Sequence, residues 1–244
     1  MKDIYRKSSF DGKRFCNYEY QSDDSRSSNK HNLFKFLKWR INRNKLVSPW
    51  PDWIINQDYN NLENSINSGI KATFINHSTV LIQLDEINIL TDPVWSNRVS
   101  PFTFVGPKRV RNPGIDLDKL PPIDLILISH DHYDHLDIET LKILDKKFKP
   151  IIIAGININS ILNNYNLSCT ELNWWEKTDF KNLKINFLPA KHWSGRKGFF
   201  GNNYTLWGSF LIESENYKIY FAGDTAYSDH IKSINQKFGK MDLS

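Results

Sequence analysis

The segment His130-Asp131-His132-Tyr133-Asp134-His135 constrains this chain more than any other stretch. Ahead of it runs Ile123-Asp124-Leu125-Ile126-Leu127-Ile128, a short apolar run rich in β-branched residues, which predicts a buried strand. Behind it comes Asp137-Ile138-Glu139-Thr140-Leu141-Lys142-Ile143-Leu144, an N-cap aspartate followed by apolar residues at helical spacing. Strand, polar loop and helix in that order predict an α/β fold, with the loop at the carboxyl end of the strand, where open α/β sheets place their ligands. In an extended segment His130 and His132 point the same way, so two imidazoles can grip one ion. Asp134 and His135 fall at the turn into the helix and can face a second ion. The bland alternative is a histidine-rich surface loop, or core histidines satisfied by hydrogen bonds. The chain has only seven histidines, and three of them alternate with acids inside this short segment, which favours metal binding.

Two further donors stand in similar settings. His192 follows a strand-like run from Leu183 to Leu188, and Asp224 lies in Tyr220-Phe221-Ala222-Gly223-Asp224-Thr225, where a strand gives way to a glycine turn. Taken alone, each has a structural reading as well: a buried histidine bonded to backbone, or an aspartate capping its turn. His77 and Asp92 each follow a strand and either reach the same side as partners of the ligands or are satisfied structurally.

The pattern His-x-His-x-Asp-His, then a lone histidine, then Gly223-Asp224-Thr225, resembles the metallo-β-lactamase fold hydrolases. The landmarks Asn76-His77-Ser78-Thr79, Leu90-Thr91-Asp92-Pro93, Gly106-Pro107-Lys108-Arg109, Leu120-Pro121-Pro122, Trp174-Trp175-Glu176 and Leu206-Trp207-Gly208-Ser209 are similar to those of one branch, which contains N-acylphosphatidylethanolamine-hydrolysing phospholipase D. They run in that family's order over nearly the whole chain. The resemblance implies an αββα four-layer sandwich built from two similar halves. It also implies two zinc ions: His130, His132 and His192 on the first, Asp134 and His135 on the second, Asp224 bridging both, with Asp134 and His77 as the catalytic candidates. Zinc ions roughly 3.5–4 Å apart would hold a shared water acidified to near neutral pH for attack on phosphorus or a carbonyl carbon. Asp131 and Tyr133 shape the loop in this scheme. The family carries a further histidine on the second metal, after another strand near the C-terminus. No residue here corresponds to it, since the chain ends at Met241-Asp242-Leu243-Ser244, so the second half is expected to be incomplete and to leave an open sheet edge that invites self-association. His230 is expected to be an exposed residue of an amphipathic helix with Ile231, Ile234 and Phe238 as its stripe.

These observations imply a phospholipase D-type phosphodiesterase acting on N-acylphosphatidylethanolamine-like lipids. The alternatives are a lactonase or other ester hydrolase of the same fold, and an inactive remnant holding at most one metal. The expected organisation is an N-terminal extension over 1–68 and a metallo-β-lactamase-like domain over 69–244. Within the extension, 21–30 is polar and serine-rich and predicts a flexible connection, while Phe34-Lys35-Phe36-Leu37-Lys38-Trp39-Arg40-Ile41-Asn42-Arg43 reads as a basic aromatic helix. That helix either packs on the sandwich or lies peripherally on an anionic membrane. No run approaches the ~20 apolar residues that span a bilayer, and Met1-Lys2-Asp3-Ile4-Tyr5-Arg6-Lys7 is not a signal peptide, so cytoplasmic residence is expected. Cys16 and Cys169 have no zinc spacing and read as free thiols. A net charge of +5 comes without a nucleic-acid motif. Trp193, Trp207, Phe199 and Phe200 are either an acyl-binding wall or core, and Gly195-Arg196-Lys197-Gly198 would suit a phosphate.

Overall fold

The computed structural model describes residues 5–17, 38, 42, 51–55, 62–102, 104–106, 108–196 and 202–244. The serine-rich connection, most of the basic aromatic segment, Phe199 and Phe200 lie outside the described residues. A short hairpin, β1 (Ser9–Phe10) and β2 (Phe15–Cys16), precedes the first sheet. That sheet begins as a meander of β3 (Ile70–Asn76), β4 (Thr79–Leu84) and β5 (Ile87–Thr91). Asp85 and Glu86, both at positive φ, make the two-residue turn that matches the twist of β4 and β5. The chain then crosses over to three parallel strands, β6 (Leu125–Ile128), β7 (Ile151–Gly155) and β8 (Thr170–Leu172), giving the order β3-β4-β5-β6-β7-β8. The second sheet is antiparallel, in the order β12-β11-β10-β9: β9 (Lys177–Phe180), β10 (Leu183–Leu188), β11 (Ser209–Glu213) and β12 (Lys218–Phe221).

Strand periodicity then builds the layers. In β6, Leu125 and Leu127 face the second sheet, whereas Ile126 and Ile128 face the helices, as an alternating strand buried on both faces must. The core between the sheets joins Ile89, Leu125 and Leu127 to Ile185, Phe187 and Phe210. Outside the first sheet lie α1 (Ile138–Phe148), which buries Ile138, Leu141 and Leu144, and the short α2 (Asn159–Leu162). The Asp137 side chain accepts from Thr140 N to cap α1, and Lys149 closes it in a left-handed conformation. Outside the second sheet, α3 (Asp229–Phe238) packs Ile234 on Leu188 and Leu211. The result is a helix–sheet–sheet–helix sandwich.

Several elements differ from the sequence reading. Strand β11 begins only at Ser209, past the apolar Leu206 and Trp207, because Trp207 turns into the core and donates its indole N–H to Ala190 O. Strands β8 and β9 are short, half-exposed and charged, so they lack an apolar signature. The β12 edge, expected to be open, carries a parallel bridge from Ile219 to Leu243, and Tyr220 N donates to Leu243 O. Within the expected N-terminal extension, Phe15 is buried between the sheets and its N–H donates to Asn203 O, while Ser8 bonds Asn173 and Lys7 pairs with Glu176. Both cysteines are free thiols. Among the described residues no helix is long and apolar enough to cross a membrane.

Candidate metal centre

Five loops at one end of the sandwich deliver the donors. The β6–α1 loop carries His130, His132, Asp134 and His135, the β3–β4 turn carries His77, and the segment after β5 carries Asp92. His192 follows β10 and Asp224 follows β12. In the first cluster His130 Nε2 lies 2.8 Å from His132 Nδ1, and His192 Nε2 lies 3.1 Å and 3.2 Å from those two atoms. In the second, His77 Nε2 is 3.2 Å from both His135 Nε2 and Asp134 Oδ2. Asp224 stands between the two, with Oδ1 at 3.4 Å from His135 Nε2 and Oδ2 at 3.8 Å from His192 Nε2.

A buried network fixes which ring nitrogens are bare. Asp92 Oδ2 accepts from His135 Nδ1 at 2.7 Å, and a carboxylate only accepts, so Nδ1 keeps its proton and Nε2 is the nitrogen turned toward the second cluster, bare once the ring is neutral. The same carboxylate takes the Ser129 hydroxyl proton at 2.6 Å and the Ser129 N–H at 2.7 Å. With its proton so committed, Ser129 Oγ accepts from His130 Nδ1 at 2.9 Å, which leaves His130 Nε2 bare toward the first cluster. Gly223 makes this arrangement possible. Its φ is +56, and an added Cβ would lie 2.6 Å from Ser129 Cβ.

The clusters carry opposite electrostatics. Burial, then the neighbouring imidazoles, pushes His130 well below the ordinary histidine value, and burial lowers His132 as well. His192 falls to about 4, through burial and then the proximity of His132. Burial works the same way on His135, but hydrogen bonds to Asp224 and Asp92 outweigh it and raise the ring to about 10. For Asp134 burial works upward, yet the His77 hydrogen bond and the charge of His135 hold it down to about 2. Asp224 is lowered by its hydrogen bond to His135.

The first cluster fits a divalent cation. Three facing ring nitrogens repel one another unless a cation lies between them. A tetrahedral ion with bonds of ~2.0–2.1 Å spaces its donors ~3.3–3.4 Å apart, close to the triangle seen here. His132 Nε2, the nitrogen not in that triangle, is buried without a hydrogen-bond partner, and His132 packs edge-to-face on Trp193.

The structure thus brings together all six predicted ligands, His130, His132, Asp134, His135, His192 and Asp224, and adds His77 beside them. Asp92 takes the ligand-partner side of its two readings. Asp131 accepts from Gly195 N and Arg196 N, fastening the β6–α1 loop to the loop after His192. Arg196 is not open to a phosphate: its guanidinium donates to Asp131 O and Leu136 O and stacks on Tyr133. Trp207 is core, whereas Trp193 is half exposed beside His132. His230, expected to be exposed, is buried. Its ring meets Thr225 Oγ1 at 3.1 Å and Ser228 Oγ at 2.8 Å, and Thr225 Oγ1 in turn accepts from Lys191 N, so His230 braces the loops of Asp224 and His192. Sequence reasoning missed Ser129, for which a serine between a strand and a histidine gives no local signal.

The family model described as beta-lactamase superfamily domain matches residues 87–244. The chain belongs to that family, and its two packed sheets between helices are the metallo-β-lactamase fold. More particularly, it is 39% identical over 191 residues to N-acyl-phosphatidylethanolamine-hydrolyzing phospholipase D 1 of Caenorhabditis elegans, covering 72% of this chain and 53% of that protein. It is 35% identical over 185 residues to the Saccharomyces cerevisiae mitochondrial N-acyl-phosphatidylethanolamine-hydrolyzing phospholipase D, covering 71% of this chain and 39% of that protein. The chain spans about half the length of the curated relatives it matches. Among solved structures, a metallo hydrolase from Ignicoccus hospitalis shares the fold, with a TM-score of 0.53 and 23% identity over 68% of this chain and 66% of that one.

Proposed function

We propose that this chain is the metal-binding part of a hydrolase of phosphodiester lipids of the N-acylphosphatidylethanolamine class. The observation that carries this reading is the division of the Asp224 carboxylate between two donor clusters, one oxygen toward each. That is the arrangement a metal pair needs if both ions are to act on one substrate. His130, His132 and His192 would hold the first ion, Asp134 and His135 the second, with Asp224 available to both. Zinc suits imidazole and carboxylate donors. A bound pair supplies Lewis acidity and a water acidified to near neutral pH.

The chain's own residues do the positioning. Asp92 and Ser129 hold protons on Nδ1 of His135 and His130, so that His130 presents the Nε2 lone pair as it stands and His135 presents it once its Nε2 proton has left. Asp134 and His77 are 42% and 50% exposed at the side chain and form the open rim by which substrate enters. Trp193, 48% exposed, offers an apolar surface beside His132 suited to acyl chains. The names of the two phospholipase D relatives favour a phosphodiester over a lactone or other ester.

The test is to purify the chain with zinc, count ions by mass spectrometry, and offer it N-acylphosphatidylethanolamine in mixed micelles beside a lactone and a simple ester. Phosphatidic acid and N-acylethanolamine should appear from the first substrate. Metal-loaded protein that hydrolyses only the lactone or ester would remove the lipid assignment.

A further inference from the structure

Building on the two-cation reading above, we infer that His77 is a direct ligand of the second cation, beside Asp134, His135 and Asp224. His77 Nε2 lies 3.2 Å from Asp134 Oδ2 and 3.2 Å from His135 Nε2, and those two atoms are 4.0 Å apart. The triangle resembles that of the first cluster, whose sides are 2.8, 3.1 and 3.2 Å. Asp224 Oδ1, 3.4 Å from His135 Nε2, supplies the fourth corner. Two nitrogens and two carboxylate oxygens converging in this way make a set of ordinary size and chemistry for a divalent ion.

The backbone argues the same way. His77 occupies the β3–β4 turn at φ 41, a left-handed conformation that costs a non-glycine residue ~1–3 kcal/mol and that glycine or asparagine would fill with less strain. Three hydrogen bonds hold the strained turn: Asn76 Nδ2 to Val94 O at 3.0 Å, Thr91 Oγ1 to Ser78 O at 2.8 Å, and Thr79 Oγ1 to Asp92 O at 2.7 Å. The last of these ties His77 to His135, because Asp92 anchors the turn through its carbonyl and orients His135 through its carboxylate. One buried residue therefore places both imidazoles before a cation arrives. A side chain that only relayed protons from the rim would not require this shared anchor.

The experiment uses cadmium and cobalt as probes. In 15N-labelled chain loaded with 113Cd2+, His77 Nε2 should show one-bond coupling to cadmium. Titrated with Co2+, the wild-type chain should take up about two ions. His77→Asn, which keeps a residue tolerant of the left-handed turn, should hold the first with unchanged affinity and the second roughly tenfold or more weakly. Uncoupled His77 Nε2, with second-ion affinity in His77→Asn within about twofold of wild type, overturns the role of His77 while leaving the metal pair intact. Uptake of a single ion by the wild-type chain overturns the two-cation reading and this inference together. Equal weakening of both ions in His77→Asn assigns the residue to the turn's structure, which also overturns it.

Discussion

The two donor clusters lie side by side yet are built on different principles. The first consists of imidazoles whose basicity has been removed by burial: His130 is 1% exposed and His192 is depressed to about 4, so no proton competes for the donors near neutral pH. The second is half open and holds carboxylates, and its one buried imidazole, His135, is raised to about 10 by the acids around it. A dry set of neutral nitrogens is poised to bind a cation as it stands. A wet set containing an imidazolium must lose a proton first. Burial sets the character of the first, whereas Asp224 and Asp92 set that of the second, and Asp92 reaches His130 only through Ser129.

The largest break in this comparison should come from Asp224→Ala, which removes the carboxylate that faces both clusters. Turnover should fall by at least ~10³-fold with metal present, and His132→Ala should do the same through the first cluster alone, since ligands that act as a unit fail together. Lys142→Ala on the exposed face of α1 should leave turnover unchanged. Undiminished turnover in His132→Ala would sink the ligand assignment. Next in size is Gly223→Ala. A Cβ there adds backbone strain and presses on Ser129, for a combined cost of about 2–4 kcal/mol in chemical denaturation. An unchanged denaturation midpoint would show that the turn can relax away from Ser129.

Asp92→Asn should sharpen the contrast by acting unequally. The amide keeps the volume but has one oxygen, so it can accept either at the Oδ2 position, from Ser129 Oγ and His135 Nδ1, or at the Oδ1 position, from Ser129 N, and not at both as the carboxylate does. Second-ion affinity should drop about 10–100-fold, with a smaller loss at the first cluster, where Asp92 acts only through Ser129. Calorimetric titration resolves the two steps, and equal losses would mean that Asp92 supports the loops rather than the tautomers.

How far the sequence went follows from how local each signal is. The β6 strand, the Asp137 cap and the histidine loop lie within twenty residues, and each is written in neighbours that can be read together. Asp92 and Ser129 lie 37 positions apart, so their bond depends on β5 and β6 being parallel neighbours, which no window of sequence displays. His230 was misjudged for a related reason. The pattern Ile231, Ile234 and Phe238 suggests one apolar face, but the residues of α3 that become buried are His230 and Ile234, since two hydroxyls from the preceding turn satisfy the ring. Hydrophobic periodicity cannot find a polar residue that tertiary contacts have made fit to bury. The bulk of β9 was invisible too, because Lys177-Thr178-Asp179-Phe180 is an edge strand with one face in solvent.

The smallest expected effect bears most directly on the difference between the clusters. Both cations need bare nitrogens, so any proton held in the free protein must leave on binding. His192 at about 4, with His130 and His132 also lowered, predicts essentially no proton release for the first ion above pH ~5. His135 at about 10 predicts close to one proton released for the second ion at neutral pH. The sign is fixed by the direction of each shift: a raised histidine must be deprotonated to ligate, so second-ion affinity should climb with pH, about tenfold per unit until pH ~10, while first-ion affinity stays flat. Titrations in two buffers of different ionisation enthalpy measure the protons directly. Equal release for both ions would mean that Asp92 and Asp224 do not hold His135 charged, and the electrostatic half of the comparison would fail while the geometry stood.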